Sequence, residues 1–211
     1  EKDLGIGMEM FSADQQASIN NYLADNIKYK QLQNEVDLWP NFQTDYLQIL
    51  DFAKDNELML IGTNAPQQIA SNVYKKGGFS YLDKLSEKEL EFLPPRPIPF
   101  DPDLPAYQKM KKMMGVHAND DIVKAQALKD ATMAYHLTDL AKEKQLVVHI
   151  NGKYHSDDHE GIFWYLQQYR PELKVQTISM VNQADIFALQ EEQQDTADFI
   201  ICIDKNMTKT Y

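Results

Sequence analysis

Short apolar runs of strand length alternate along this chain with longer stretches of helical periodicity, and that alternation restricts it to an α/β fold with a mainly parallel sheet flanked by helices. The strand-like runs cover 5–10, 57–62, 146–151, 175–181 and 198–203, and the helical patterns cover 12–25, 42–55, 66–76, 119–144 and 159–169. Local punctuation agrees: Ser12-Ala-Asp-Gln15 has the form of a capping box, Pro66 suits a first helical turn, and Gly77-Gly78 suits a helix stop. The 211 residues, 43% of them hydrophobic, are enough for one domain with a sizeable core, and a second full domain is not expected.

Within the pattern at 119–144, Ile122, Gln126, Asp130, Met133, Leu137 and Leu140 recur at helical spacing, so Gln126 and Asp130 point where their apolar neighbours point. Polar groups on a buried face must be partnered. Either these two hydrogen-bond loops of the same domain, or the helix lines a site. The segment 94–105 stands apart, holding six of the nine prolines, and can be neither regular helix nor central strand. It reads as a stiff surface excursion that connects elements or carries a flap, and with the helical stretch after it forms a lid-like segment over about 83–118. In that stretch Tyr107, Met110, Met114 and His117 share one helical face. Lys109, Lys111 and Lys112 gather around it as the densest basic patch of the chain.

Thirty-two acidic against 21 basic side chains give a net charge of −11, which opposes phosphate backbones and argues against nucleic-acid binding. No apolar run is long enough to span a bilayer, and the opening Glu1-Lys-Asp-Leu carries no signal peptide or lipidation motif. Cys202 is the only cysteine, set in Phe-Ile-Ile-Cys-Ile, and reads as a small buried hydrophobe. Ligands of open α/β sheets bind beyond the carboxyl ends of the strands, where Glu9, Asn64, His155 and Asn182-Gln183 fall. A carboxylate, an imidazole and an amide converging there suit metal binding or proton transfer, although each alone is also an ordinary cap or a satisfied structural group. His155-Ser-Asp-Asp-His159 adds acidic groups and a second histidine, and reads equally as a solvated loop opening the next helix. Phosphate-cradling loops, nucleophile elbows, cysteine-pair zinc motifs and zincin helices are all absent from the sequence.

The order and spacing of Gly-Met-Glu-Met-Phe-Ser-Ala-Asp-Gln-Gln (7–16), Thr-Asn-Ala-Pro (63–66), Phe-Leu-Pro-Pro (92–95), Ala-Gln-Ala-Leu-Lys-Asp-Ala-Thr-Met-Ala (125–134) and Asn-Gly-Lys-Tyr-His (151–155) resemble the ChaN-like haem-binding lipoproteins, relatives of the Tiki and TraB proteins, over nearly the whole chain. Of the two Gly-x-x-His motifs typical of that superfamily, Gly152-Lys-Tyr-His155 matches the second, Glu9 matches the acidic position, and the first motif has no counterpart. Gln67 stands where the family often has Arg, and Tyr154 where it commonly has Gly. Family members usually open with a strand and helix upstream of the segment at 5–10, so the resemblance implies an N-terminally trimmed, single ChaN-like domain over 1–211.

The resemblance further implies binding of ferric haem through tyrosine, with histidine and lysine near the propionates. It implies a homodimer formed on haem binding, in a cell-envelope lipoprotein, periplasmic or at the surface, that serves iron uptake alongside an outer-membrane haem receptor. Phenolate suits ferric iron, and lysine or histidine donors neutralise propionates. Tyr107 with His117, Lys111 and Lys112 offers these elements on one helix, Tyr154 beside His155 is the rival ligand, and plain core packing is the alternative for a Tyr/Met stripe. The other activity implied by the superfamily is a metal-dependent hydrolase, in which Glu9 and His155 with an upstream histidine would hold a divalent metal that activates water.

Overall fold

The first strand, β1 (Leu4–Ser12), is buried along most of its length because both of its edges and both of its faces are occupied. A computed structural model of the protein describes residues 3–115 and 119–210. β1 pairs in parallel with β2 (Met59–Asn64) on one side and β3 (Leu146–Ile150) on the other, giving the order β2-β1-β3. Gly5 aligns with Met59, and Ile6 with Leu60 and Val148.

One face of β1 carries Gly5 and Gly7, and the long helix α8 (Asp120–Glu143) lies against it. A β-carbon at Gly7 would come within 2.8 Å of Leu137, and one at Gly5 within 2.9 Å of Leu140, so the glycines set how closely helix and sheet approach. Asn119 starts α8 by accepting from the Ile122 N–H at 3.0 Å, with Asp120 and Asp121 favourably placed in its first turn. Beside it on this face pack α5 (Gln67–Lys75) and α9 (Ile162–Tyr169).

On the opposite face Ile6 and Met8 join Ile19 and Tyr22 of α1 (Gln16–Leu23), Leu32 of α2 (Tyr29–Glu35), Phe42 of α3 (Phe42–Asp45) and Leu50 of α4 (Leu47–Asp55) in a second core. The box at 12–15 forms as read: the Ser12 N–H donates to Gln15 Oε1 at 3.0 Å. The outer edge of β2 meets a side chain rather than a strand. Gln16 Nε2 donates to the Leu60 carbonyl at 3.0 Å, and its Oε1 accepts from the Gly62 N–H at 2.9 Å.

Three expectations are modified. The pattern at 42–55 breaks at Tyr46, which ends α3 and begins α4. The last two strands, β4 (Ile178–Gln183) and β5 (Phe199–Asp204), pair with each other as a separate parallel sheet instead of extending β3. The stiff proline-rich excursion is anchored into the core at several points rather than confined to the surface. Ile98 is buried, Phe100 stacks on Tyr107 at 5.9 Å, the Tyr165 hydroxyl donates to the Pro99 carbonyl at 2.8 Å, and Arg96 pairs with Asp83 at 2.7 Å. Proline strips the segment of main-chain donors, so its carbonyls find side-chain partners instead. It connects α6 (Glu87–Leu90) to α7 (Pro105–Met114). No helix among the described residues is long and apolar enough to cross a membrane.

Candidate functional site

Positions alternate across a strand, so Glu9 follows Gly5 and Gly7 on the face of β1 that meets α8. Leu140 and Leu137 of the helix cover the two glycines, and about two to three turns further toward its N-terminus Asp130 and Gln126 reach the carboxyl end of the sheet. The polar interruption of the apolar stripe thus coincides with the place where the sheet stops. Asp130 is only 1% exposed.

Between the two carboxylates lies His155. Its Nδ1 is 2.5 Å from Asp130 Oδ1 and its Nε2 is 3.2 Å from Glu9 Oε1. Glu9 Oε2 accepts the Gly152 N–H at 2.6 Å, so one carboxylate holds both ends of the Gly152–His155 turn. Burial alone would push the imidazole down, but Asp130 and Glu9 more than reverse this and raise its pKa to about 10. Burial likewise pushes Glu9 up, and it is overcome by His155 and the Gly152 N–H, which hold Glu9 below its ordinary value. Asp130 is pushed up by burial against the pull of His155. The resulting arrangement is an imidazolium donating from both nitrogens. The Gln126 amide lies 3.0 Å from Nδ1, and because a protonated nitrogen accepts nothing, the amide is read with its oxygen toward the ring.

Neighbouring bonds fix the same rim. Asn64, closing β2, donates to the Glu9 carbonyl at 3.1 Å. Asn151 donates to Ser156 Oγ at 3.0 Å, and its Oδ1 accepts from His149 Nδ1 at 3.1 Å. That leaves His149 Nε2 to accept from the Thr63 hydroxyl at 2.8 Å, and burial pushes this neutral imidazole down to about 4. Neither Asn151 nor the Thr63–His149 link was singled out from sequence. Thr63 and His149 lie far apart along the chain, and only the strand order brings them together.

The other expected site residues separate. Tyr107 is 2% exposed and packs in the core against Phe100. Burial, with Asp130 nearby, pushes its phenol far above the ordinary value, so it resists the deprotonation that iron ligation requires. Of the two tyrosines expected as ligands, Tyr107 thus lies in the core as placed here. Tyr154, 67% exposed, projects from the turn that Glu9 and Asp130 anchor through Gly152 and His155. His117 lies outside the described residues. Lys111 pairs with Asp120 at 2.7 Å, and with Gln108, Lys109, Lys112 and Gly115 it lines an open groove of about 640 Å³. Gln183 secures the loop after β4 through the Asp185 and Ala188 carbonyls.

Among the described residues no group of three or more His, Cys, Asp or Glu side chains is arranged to hold a metal ion. Both imidazole nitrogens of His155 face carboxylates, so the ring as placed here offers no free lone pair to a divalent metal and does not fit the role of a ligand.

The family model for haem-binding uptake proteins of the Tiki superfamily, ChaN, matches residues 1–166. No curated protein sequence matches significantly. Among solved structures, the one described as cofacial heme binding to ChaN of Campylobacter jejuni superposes with a TM-score of 0.63 at 15% identity, covering 94% of this chain and 72% of that one, a likeness of fold. An erythromycin esterase, the EreC H289N mutant in its open conformation, follows with a TM-score of 0.45 at 11% identity, covering 84% of this chain and 62% of that one. With the family model matching most of its length, the chain belongs to the ChaN haem-binding uptake family of the Tiki superfamily.

Proposed function

We propose that the protein binds ferric haem at the carboxyl-end rim of the sheet, with the Tyr154 oxygen as the iron ligand, and serves haem or iron uptake in the bacterial cell envelope. The observation that carries this reading is the contrast between two tyrosines. Tyr154 presents its hydroxyl to solvent from a turn pinned by buried hydrogen bonds, whereas the hydroxyl of Tyr107 is sealed in the core. An oxygen exposed in this way can be reached by a ferric ion, for which phenolate is a suitable ligand. Lys112 and Lys111 are the cations suited to the propionates, in a chain whose net charge otherwise repels them. A homodimer formed on haem binding, a lipid anchor and an outer-membrane receptor complete the proposed setting.

Titration of the purified protein with hemin tests the reading by visible absorption. Saturable binding with a high-spin tyrosinate charge-transfer band is expected for the wild type and for Tyr107→Phe, and loss of the band for Tyr154→Phe. Weak, non-saturating adsorption by the wild type overturns haem binding. An unchanged band in Tyr154→Phe overturns the ligand assignment.

A further inference from the structure

The first sheet and α8 grip the turn bearing Tyr154 at Gly152 and His155, and the segment directly behind it, 157–161, is gripped by the second sheet. That segment is strained. Asp158 and His159 stand at φ 59° and 57°, in the left-handed region that side chains seldom enter, and Gly161 follows at 54°. Two such residues in succession persist only where their surroundings over-determine them, and places of this kind concentrate at ligand sites.

Contacts with β4 and with the residues leading into β4 and β5 supply the constraint. The Asp158 N–H donates to the Thr196 carbonyl at 2.9 Å. Asp157 Oδ1 accepts from the hydroxyl of Ser179, a buried residue of β4, at 3.2 Å, while its Oδ2 lies 3.2 Å from the ammonium of Lys153, the chain neighbour of Tyr154. His159 Nε2 lies 3.3 Å from Thr177 Oγ1 and 3.4 Å from Asp198 Oδ1. The Thr177 hydroxyl already donates to Asp198 Oδ2 at 3.0 Å, so toward the ring it can only accept, and Nε2 is the donor. The Lys153–Asp157 pair is partly solvated and worth little by itself, so the grip comes chiefly from Ser179, Thr177 and Thr196.

We infer that the second sheet is the outer support of the haem turn, with Asp157 and Thr177 as positioning residues that fix Tyr154 for iron, an inference that rests on Tyr154 as the ligand proposed above. A metal ligand binds well only when the groups behind it are locked. Held by Glu9 and Asp130 alone, the turn is fixed on its buried side and loose on the side from which Tyr154 projects. Loss of the outer support leaves the phenol as easy to reach as before, so it shows in release of haem rather than in capture.

Hemin release to excess apomyoglobin, followed beside the tyrosinate charge-transfer band, tests this. Asp157→Ala and Thr177→Val each remove one tie to the second sheet, and each should weaken the band and speed release about fivefold, the worth of one hydrogen bond. The combined variant should exceed either, with an unchanged far-ultraviolet circular dichroism spectrum. Tyr22→Phe removes a bond to Asp51 at 2.5 Å in the opposite helical layer, and should lower stability in urea while leaving release and band at their wild-type values. A wild type that does not bind hemin saturably overturns the haem reading and this inference with it. If the wild type binds, unchanged release and band in the combined variant overturn this inference alone. Release that quickens equally in Tyr22→Phe also overturns it, since general loosening then accounts for the effect.

Discussion

His155 Nδ1 stands 2.5 Å from Asp130 Oδ1, joining the turn after β3 to the middle of α8. The contact converts a polar break in an apolar helical stripe into the fixed end of a loop. The bridge continues through Nε2 to Glu9, so a strand, a helix and a turn share one buried cation. Its energetic consequence depends on all three groups staying charged, and this makes the rim sensitive to single substitutions and to pH.

Replacing Asp130 by Ala should lower the unfolding free energy by about 3–5 kcal/mol, because it leaves the buried imidazolium without its closest counter-charge. Urea titration at pH 7 measures it. A loss below about 1 kcal/mol would show that the ring simply turns neutral without penalty.

The two rim histidines should shape the pH profile of stability from opposite sides. His155 has a folded pKa of about 10, above its unfolded value near 6.5, so its contribution is complete below about pH 6.5 and is lost as pH rises toward 10. His149 has a folded pKa of about 4, below the unfolded value, so its contribution is present above about pH 6.5 and is lost as pH falls toward 4. Glu9, held low in the folded state, adds to the loss in acid. Denaturation midpoints across pH 4–10 should therefore peak near neutrality. In His155→Gln the alkaline limb should flatten while the acid limb remains.

Gly7→Ala should destabilise the fold by about 1–3 kcal/mol, since the added methyl would meet Leu137 at 2.8 Å, His149 at 2.9 Å and Thr63 at 3.0 Å. Thermal melting reports it. An unshifted melting temperature would mean that α8 can rise from the sheet freely.

Tyr165→Phe deletes the bond to the Pro99 carbonyl but keeps the buried ring, and should cost about 1 kcal/mol globally. The local effect should be larger. Hydrogen exchange at Ile98 and Phe100 is expected to quicken relative to α8, and unchanged protection there would show that the side chain of Ile98 alone holds the segment down.

Much of the architecture was legible because period and punctuation are local. Each strand-like run has a strand at its position, and Asn119 and Ser12 carry their capping chemistry in the adjacent residues. Glu9 and Asn64 were legible as strand-end groups for the same reason. Which strand pairs with which is not local, and so the separation of β4–β5 from β3 and the Thr63–His149 bond had no sequence signal. Tyr107 was open to two readings, ligand or core packing, because one helical face reads alike whether it lines a cavity or fills a core. Its burial is decided by Phe100 and Tyr165, residues on other segments.

The amide of Gln16 lies along the outer border of β2 where a neighbouring chain would otherwise bond to Leu60 and Gly62. It occupies one acceptor and one donor at the spacing a strand would use, and so acts as a stopper one residue long. Sheet growth from that border, the route by which crowded, newly made chains template one another into aggregates, is closed by a side chain that belongs to the first α-helix after β1 in the chain.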